Sequence, residues 1–205
     1  MRRAGRIVEI GCGTGVILRE LAALTEASIS GIDRDEGLLA VAGRSCPENV
    51  ELIRADASRS RLPKADIVLF HHFLHHMEAL GPFLSRIRRS LEKKGLAVVL
   101  AEYDWDSALR ECPGPIPGLL RKSLEAGGLF IHRRCDMEAA FPKAGFCEVS
   151  SGCEPGIPST PDPWFLENQA ASLDGSGDGA SAGALRGSGD QVLTVPVIWG
   201  IWRKT

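Results

Sequence analysis

The feature that most constrains this chain is a glycine-rich turn placed directly after a short apolar strand. Arg6–Ile10 is a β-branched run, Gly11, Gly13 and Gly15 follow at alternate positions, and Ile17–Leu24 repeats apolar residues at helical spacing. Glycines let the backbone turn tightly and approach a ligand closely. A strand, a glycine-rich turn and a helix in this order predict a nucleotide-type binding turn.

Strands and helices alternate along the first hundred residues. Further strands are predicted at the apolar runs Ser28–Ile32, Val50–Ala55, Ala65–Phe70 and Leu96–Ala101. Helices are predicted at Glu36–Cys46 and Pro82–Lys94, the second ending on basic residues and a glycine as helix C-termini prefer. The strands are apolar throughout, which is typical of a parallel sheet covered on both faces.

The second half of the chain is less regular. Helices are predicted at Leu119–Ala126, Asp136–Ala144 and Pro163–Leu173, and strands at Cys147–Ser151 and Gln191–Arg203. Residues 174–190 are mostly Gly, Ser, Ala and Asp, a composition that predicts a mobile loop because it buries no core. We expect a cofactor half at about residues 6–101, with residues 102–135 and 154–190 forming the acceptor side or a lid.

The composition predicts one globular domain that spans residues 1–205. Its content of 44% apolar and 24% charged residues is ordinary for such a domain. No apolar run reaches the roughly 18–20 residues of a membrane span. Without a recognisable secretion signal we expect a cytoplasmic protein with reduced cysteines. The net charge of −2 disfavours a nucleic-acid partner and leaves a homodimer open.

The spacing of the turn separates two classes of cofactor. The segment Val8–Gly15 reads hydrophobic–acidic–hydrophobic–GxGxG, whereas the NAD fingerprint places its third glycine where Val16 stands. This spacing resembles the first motif of class I S-adenosylmethionine-dependent methyltransferases. Further motifs follow in that family's order, namely Asp33 after the second strand, Asp56 after the third, and Asp66–Phe70 leading to Leu74-His75-His76.

The resemblance implies a fold and a cofactor. The fold is a Rossmann-like, doubly wound sandwich with a mostly parallel seven-stranded sheet and an antiparallel last strand. The cofactor is S-adenosylmethionine, with S-adenosylhomocysteine as product. The implied cofactor-binding residues lie in the turn and at the strand ends: Glu9, Gly11, Cys12, Gly13, Gly15, Asp33, Arg34, Asp56, Ala57, Phe70 and His71.

Within that set, the resemblance assigns the ribose to Asp33 and the adenine to Asp56 with Ala57. Glu9 and the glycines are assigned to the amino-acid end of the cofactor. Purely structural roles stay open for both aspartates. Asp33 precedes a helix and could be its N-cap, and Asp56 could serve only as a turn residue.

Four histidines stand within the segment His71–His76. Histidines at i, i+4 could grip a metal, but no glutamate completes an HExxH motif and no CxxC adds ligands, so we predict no metal site. His71 and His72 are candidates for a general base, because the pKa of histidine lies near neutrality. His75 and His76 are expected to shape the loop or the pocket wall.

An acidic, aromatic segment follows the fifth strand. Tyr103, Asp104 and Trp105 are placed to contact a methyl acceptor, because ligands bind beyond the carboxyl ends of strands in α/β sheets. The alternative is that Trp105 simply packs and that the acids are solvated.

Absent motifs narrow the acceptor. The Asn-Pro-Pro-Tyr signature of enzymes that methylate amino groups of adenine or glutamine is replaced by Phe70–Phe73, and no Pro-Cys pair marks a cytosine nucleophile. We therefore predict methyl transfer to a small-molecule acceptor. One alternative is a protein that binds the cofactor without turnover, because little chain precedes Arg6 where most such members carry covering helices. A NAD-linked oxidoreductase is disfavoured by Val16.

Overall fold

The computed structural model describes residues 5–111, 116–156, 163–187 and 195–205. Its strands are β1 (Arg6–Ile10), β2 (Ser28–Asp33), β3 (Val50–Arg54), β4 (Ala65–His71), β5 (Leu91–Tyr103), β6 (Phe146–Glu154) and β7 (Val197–Lys204). They form one seven-stranded sheet in the order β3-β2-β1-β4-β5-β7-β6. The first five strands are parallel, and β7 is antiparallel to β5 and β6. The predicted doubly wound architecture is thereby confirmed.

Helices cover both faces of this sheet. They are α1 (Val16–Leu24), α2 (Glu36–Ser45), α3 (Leu80–Ser90), α4 (Trp105–Glu111), α5 (Ile116–Ala126), α6 (Arg134–Lys143), α7 (Pro163–Gly175) and α8 (Gly179–Arg186), with a 3-10 turn at Leu74–His76. On one face Leu18 of α1 packs with Ile29 of β2. On the other, Leu84 of α3 and Phe141 of α6 belong to the main core, where the Phe141 ring stacks on Trp202 of β7.

One helix end differs from its prediction. The helix predicted to Lys94 ends at Ser90, and β5 begins at Leu91. β5 pairs Leu91 with Ala65 of β4, and the regular register resumes only at Leu96, so the residues between them bulge out of the ladder. Within the bulge Lys94 has φ +63°. The lysines and the glycine that resemble a helix end therefore form a bulge at the start of a strand.

The prediction of a mobile loop over residues 174–190 is wrong over residues 179–186, which form helix α8. Its alanine and leucine side chains find partners that composition alone does not reveal. Ala182 and Leu185 are buried in a second apolar cluster with residues of α4, α5 and α7. Asp178 caps the helix by accepting a hydrogen bond from the Ser181 backbone N–H at 3.2 Å. Residues 188–190 lie outside the described ranges.

The last predicted strand returns to the sheet as β7, although residues 191–194 of that prediction lie outside the described ranges. Helix α4 is an element that the sequence pattern does not predict. None of the helices in the described part of the chain has the length and apolar character needed to cross a membrane.

Candidate functional site

A cleft of about 310 Å³ opens beyond the carboxyl ends of the parallel strands. Its walls come from the turn after β1, the end of β2 with the start of α2, and the loops after β3 and β4. The lining residues are Gly11, Gly13, Ile32, Asp33, Arg34, Asp35, Leu38, Ala55, Asp56, Ala57, His72, Phe73, His76 and Met77. Six of the predicted cofactor-binding residues and the predicted base His72 are in this set.

The three glycines of the turn all adopt positive φ, at +73°, +52° and +78° for Gly11, Gly13 and Gly15. They serve different purposes. A Cβ at Gly11 would clash with the Phe73 ring, and one at Gly15 would come within 2.5 Å of the Cys46 sulfur. A Cβ at Gly13 would meet no atom within 4 Å. Gly11 and Gly15 are thus needed for packing, whereas Gly13 presents its backbone to the open cleft.

Asp33 connects the glycine turn to the next helix. One of its oxygens accepts a hydrogen bond from the Gly13 backbone N–H at 2.8 Å, and the other from the Asp35 backbone N–H at 2.9 Å. The N-cap of α2 is Asp35, whose side chain accepts from the Leu38 N–H at 2.9 Å. The N-cap role left open for Asp33 therefore belongs to Asp35, and the Asp33 carboxylate faces the cleft.

Asp56 stands in a turn and lines the cleft as well. Its Oδ1 accepts hydrogen bonds from the backbone N–H of Ser58 at 2.8 Å and from the Ser58 hydroxyl at 2.6 Å. The hydroxyl contact holds the pKa of Asp56 below its usual value. The turn role and the cleft position coexist, and this wall of the cleft carries a negative charge at neutral pH.

Glu9 and Cys12 lie beneath the turn. The Glu9 side chain is 2% exposed, and its Oε2 has no hydrogen-bond partner among the described residues. Burial, together with the charge of Asp33, raises the pKa of Glu9 to about 8. Burial likewise raises the pKa of the Cys12 thiol to about 12. Neither belongs to the described lining of the cleft, and their roles toward a cofactor stay predictions.

The loop after β4 forms the opposite wall. His72 has φ +48°, which turns the chain so that Phe73 lies over Gly11. The His72 ring stacks on Tyr103 with 4.0 Å between ring centroids. Burial lowers the pKa of both His72 and His76 to about 4. Both rings are therefore neutral at pH 7.

Two residues predicted for the cofactor site, Phe70 and His71, are not among the described lining of the cleft. Phe70 is fully buried in the main core, and the ring that lines the cleft is that of Phe73. His71 contacts the His72 ring at 4.3 Å between centroids but is not among the described lining residues. Burial lowers the pKa of His71 as well.

Glu102 is a buried residue whose part in the site was not predicted. Its carboxylate is 1% exposed and accepts hydrogen bonds from the backbone N–H groups of Phe73 at 3.0 Å and Leu74 at 2.6 Å. The Nδ1 of His75 lies 2.5 Å from the other oxygen. Burial opposes ionisation, but the contact with His75 and the backbone donors keep the pKa of Glu102 below its usual value. A carboxylate at the end of an otherwise apolar strand is the sequence signal for this role.

The three predicted acceptor residues have different surroundings. Tyr103 stacks on His72 at the edge of the cleft. Asp104 is buried and caps α4, accepting from the Ser107 N–H at 3.1 Å and its hydroxyl at 2.8 Å. Trp105 is 8% exposed and packs in the second apolar cluster. Contact of these residues with an acceptor stays a prediction.

Across the described ranges, no three His, Cys, Asp or Glu side chains are arranged to hold a metal ion. Of the four histidines in residues 71–76, His75 is held by contacts within the protein. His75 contacts Glu102, and its carbonyl accepts a hydrogen bond from the Phe130 N–H at 2.7 Å. The His132 ring contacts the Met77 carbonyl at 2.7 Å, so residues that follow α5 lie over this loop.

Known proteins share this fold. A family model described as a methyltransferase domain matches residues 8–99. A solved structure from Bacillus halodurans, assigned as a methyltransferase, superposes on 100% of this chain and 94% of its own, with a TM-score of 0.73 and 15% identity. Residues 8–99 thus match a methyltransferase domain, and the fold of the chain is the one seen in class I S-adenosylmethionine-dependent methyltransferases. In this methyltransferase domain, the GxGxG turn, Asp33 and Asp56 all lie within the matched range.

Other structural relatives differ in reaction. Phosphoethanolamine N-methyltransferase 2 of Haemonchus contortus, solved with phosphomonomethylethanolamine and S-adenosylhomocysteine, has a TM-score of 0.65 and 18% identity, covering 100% of this chain and 49% of its own. The [4+2]-cyclase SpnF has a TM-score of 0.61 and 19% identity, covering 98% of this chain and 76% of its own. Comparison with curated proteins finds no match. At these identities the likeness is one of fold, and the fold hosts more than one reaction.

Proposed function

We propose that this protein transfers a methyl group from S-adenosylmethionine to a small-molecule acceptor. The observation that carries the proposal is the cleft, where Gly13, Asp33 and Asp56 come together from three strand ends. A volume of about 310 Å³ lies in the size range of small-ligand sites. The match of the methyltransferase domain to residues 8–99 supports the choice of cofactor.

The residues at the turn fit the amino-acid end of this cofactor. The open space beside Gly13 leaves its backbone accessible, and the orphaned Oε2 of Glu9 lies buried below. A buried carboxyl group with a raised pKa ionises when a cation approaches it, because the opposite charge favours the charged form. The cationic amino group of the cofactor would supply that charge.

The residues at the strand ends fit the nucleoside. Each oxygen of Asp33 accepts only one backbone hydrogen bond, so each keeps acceptor capacity for a ribose hydroxyl. Asp56 uses Oδ1 for Ser58, and its Oδ2 lies 3.7 Å from Arg59. That oxygen is suited to accept from an adenine amino group.

The cofactor, when bound, supplies an electrophilic methyl group on a sulfonium centre. The protein must orient the acceptor and exclude water. The stacked rings of His72 and Tyr103 offer a flat surface beside the cleft for that purpose. A neutral histidine with a pKa of about 4 accepts hydrogen bonds but takes up a proton less readily than free imidazole. This favours acceptors whose attacking atom carries a lone pair without prior deprotonation.

Calorimetry with S-adenosylmethionine tests the cofactor assignment. Asp33→Asn should weaken binding by about tenfold or more, because hydrogen bonds to a charged group contribute about 1.5–3 kcal/mol. The control is Asp136→Asn, which alters a carboxylate on α6 paired with Arg133 outside the cleft. Equal affinity of the two variants, or binding of NAD alone, would contradict the assignment.

A panel of amine, phenol, thiol and carboxylate acceptors tests turnover, with release of S-adenosylhomocysteine as the readout. Tight cofactor binding without release on any acceptor would favour the alternative of a binding protein.

A further inference from the structure

A second cavity, of about 450 Å³, is lined mainly by basic residues. We call it the basic cavity; its lining is Arg59, Ser60, Arg61, Leu62, Lys64, Arg86, Arg89 and Ser90. Five of these eight residues are Arg or Lys, and no carboxylate is among them. The whole chain carries a net charge of −2, so this concentration of positive charge runs against the overall sign of the protein.

Two elements hold the basic cavity in shape. Arg86 and Arg89 stand three residues apart on α3, where such residues share one helix face. The loop between β3 and β4 supplies the other cations. The Arg86 guanidinium donates to the Ser60 carbonyl at 2.5 Å, and the Lys64 ammonium donates to the Arg89 carbonyl at 2.9 Å. These side-chain-to-backbone bonds tie the loop to the helix and hold the two walls of the cavity together.

The charges in the basic cavity are largely uncompensated. Arg59 lies 3.7 Å from Asp56 in an exposed pair. In the described part of the chain, the other four cations have no carboxylate partner within 4.0 Å. The Arg86 Nε is buried and has no partner among the described residues.

The positive charge extends beyond the lining of the cavity. The pKa of Lys204 is lowered from its usual value, first by burial and then by the neighbouring charges of Lys64 and Arg88. Like charges held this close repel one another, and a bound anion relieves that repulsion. The arrangement therefore favours an anionic occupant.

We propose that the basic cavity is a second ligand site and that it binds a small phosphate-bearing molecule. Arginine presents several donors in a planar fork that matches phosphate oxygens. The volume of the cavity suits a small ligand rather than a polymer. Binding along a nucleic-acid backbone requires an extended basic surface, whereas the five lining cations are gathered around one cavity in a chain of net charge −2. The basic cavity shares no lining residue with the cleft, so this site is separate from the one proposed for methyl transfer.

Calorimetric titration of the intact protein with pyrophosphate, and separately with inorganic phosphate, tests the proposal. Arg61→Gln and Arg89→Gln alter exposed side chains, so the fold should persist. Each should weaken pyrophosphate binding by about tenfold, and raised salt should weaken it further. The matched control is Arg44→Gln on the exposed surface of α2, which should bind pyrophosphate as the unaltered protein does.

The outcomes separate this proposal from the function of the cleft. Retention of pyrophosphate binding by Arg34→Gln, which removes the one Arg or Lys in the described lining of the cleft, supports a separate site, whereas its loss there would place the anion in the cleft and overturn the proposal. Absence of binding, or equal affinity of the Arg61→Gln, Arg89→Gln and Arg44→Gln proteins, also overturns it. Binding of a single-stranded oligonucleotide that is lost in the Arg61→Gln and Arg89→Gln proteins, together with no binding of pyrophosphate, would assign the basic cavity to a polymer and overturn the proposal.

Discussion

At the scale of single residues, sequence patterns predict the motifs that line the cleft but not the residues that hold its walls in place. The GxGxG turn, Asp33 and Asp56 are brought together as their motifs predict, because each follows directly on a parallel strand. Phe73 replaces Phe70 in the lining because the β4–β5 register shifts at His71 and His72 turns the chain. Such local irregularities leave no periodic signal in a sequence. The role of Glu102 in holding the loop after β4 is not predicted either, because its hydrogen-bond partners lie 28 and 29 residues away in the sequence.

Glu102→Gln should destabilise the loop after β4. The backbone N–H groups of Phe73 and Leu74 bond one carboxylate oxygen and that of Tyr103 bonds the other, whereas the glutamine amide accepts through one oxygen only, so these three donors can no longer all keep their partners. The expected loss is about 1–3 kcal/mol in the free energy of unfolding. Urea denaturation measures the loss, and NMR should show amide shifts concentrated in residues 71–77.

The control for this substitution is Glu154→Gln, because Glu154 bonds the Trp199 ring at 3.2 Å on an exposed edge. It should change the stability by less than about 0.5 kcal/mol. Equal effects of the two substitutions would show that the loop does not depend on the buried carboxylate.

At the scale of elements, the strands with uniform apolar runs are predicted closely, whereas helices defined by small residues are not. β1 has the bounds that the sequence suggests, and α7 runs only two residues beyond its predicted end. Residues 179–186 read as a loop because alanine and glycine carry little apolar surface. Their helix depends on a capping aspartate and on neighbouring helices that arrive from distant parts of the chain.

Leu185→Ala measures how far α8 depends on that packing. Leu185 is fully buried in the second apolar cluster, so its truncation should cost about 2–5 kcal/mol in the free energy of unfolding. Leu24→Ala, at a side chain that is 81% exposed, serves as the control and should cost less than about 0.5 kcal/mol. A similarly small cost at Leu185 would mean that residues 179–186 do not pack as a helix.

At the scale of the whole molecule, ionisable groups with opposite shifts set the pH range of stability. Glu9, with its pKa raised to about 8, contributes stability that is complete below its unfolded pKa and is lost as the pH rises through 8. His72 and His76, with pKa values lowered to about 4, contribute stability that is complete above their unfolded pKa and is lost as the pH falls through 4. The protein without cofactor should therefore lose stability on both sides of a neutral to weakly acidic range.

Glu9→Gln should remove the alkaline side of this profile and leave the acid side. The unaltered protein should lose free energy of unfolding as the pH rises from 5 to 8, because its buried Glu9 has to ionise, whereas glutamine does not ionise. The stability of the variant relative to the unaltered protein should therefore increase over this pH range. Urea denaturation at several pH values provides the measurement. Parallel pH profiles for the two proteins would show that Glu9 titrates normally in the folded state.

The place of β7 inside the sheet has a consequence for how the protein is made. β7 is the last described strand in the chain, yet it lies between β5 and β6 in the sheet. Among the described strands, β6 pairs with β7 alone. During synthesis β6 therefore leaves the ribosome about fifty residues before its hydrogen-bonding partner exists. An unpaired strand of this kind invites pairing with other chains. We therefore expect chaperones to bind the unpaired β6 during that interval. A truncation that removes β7 should also leave β6 without its partner, so two strands are lost from the sheet rather than one.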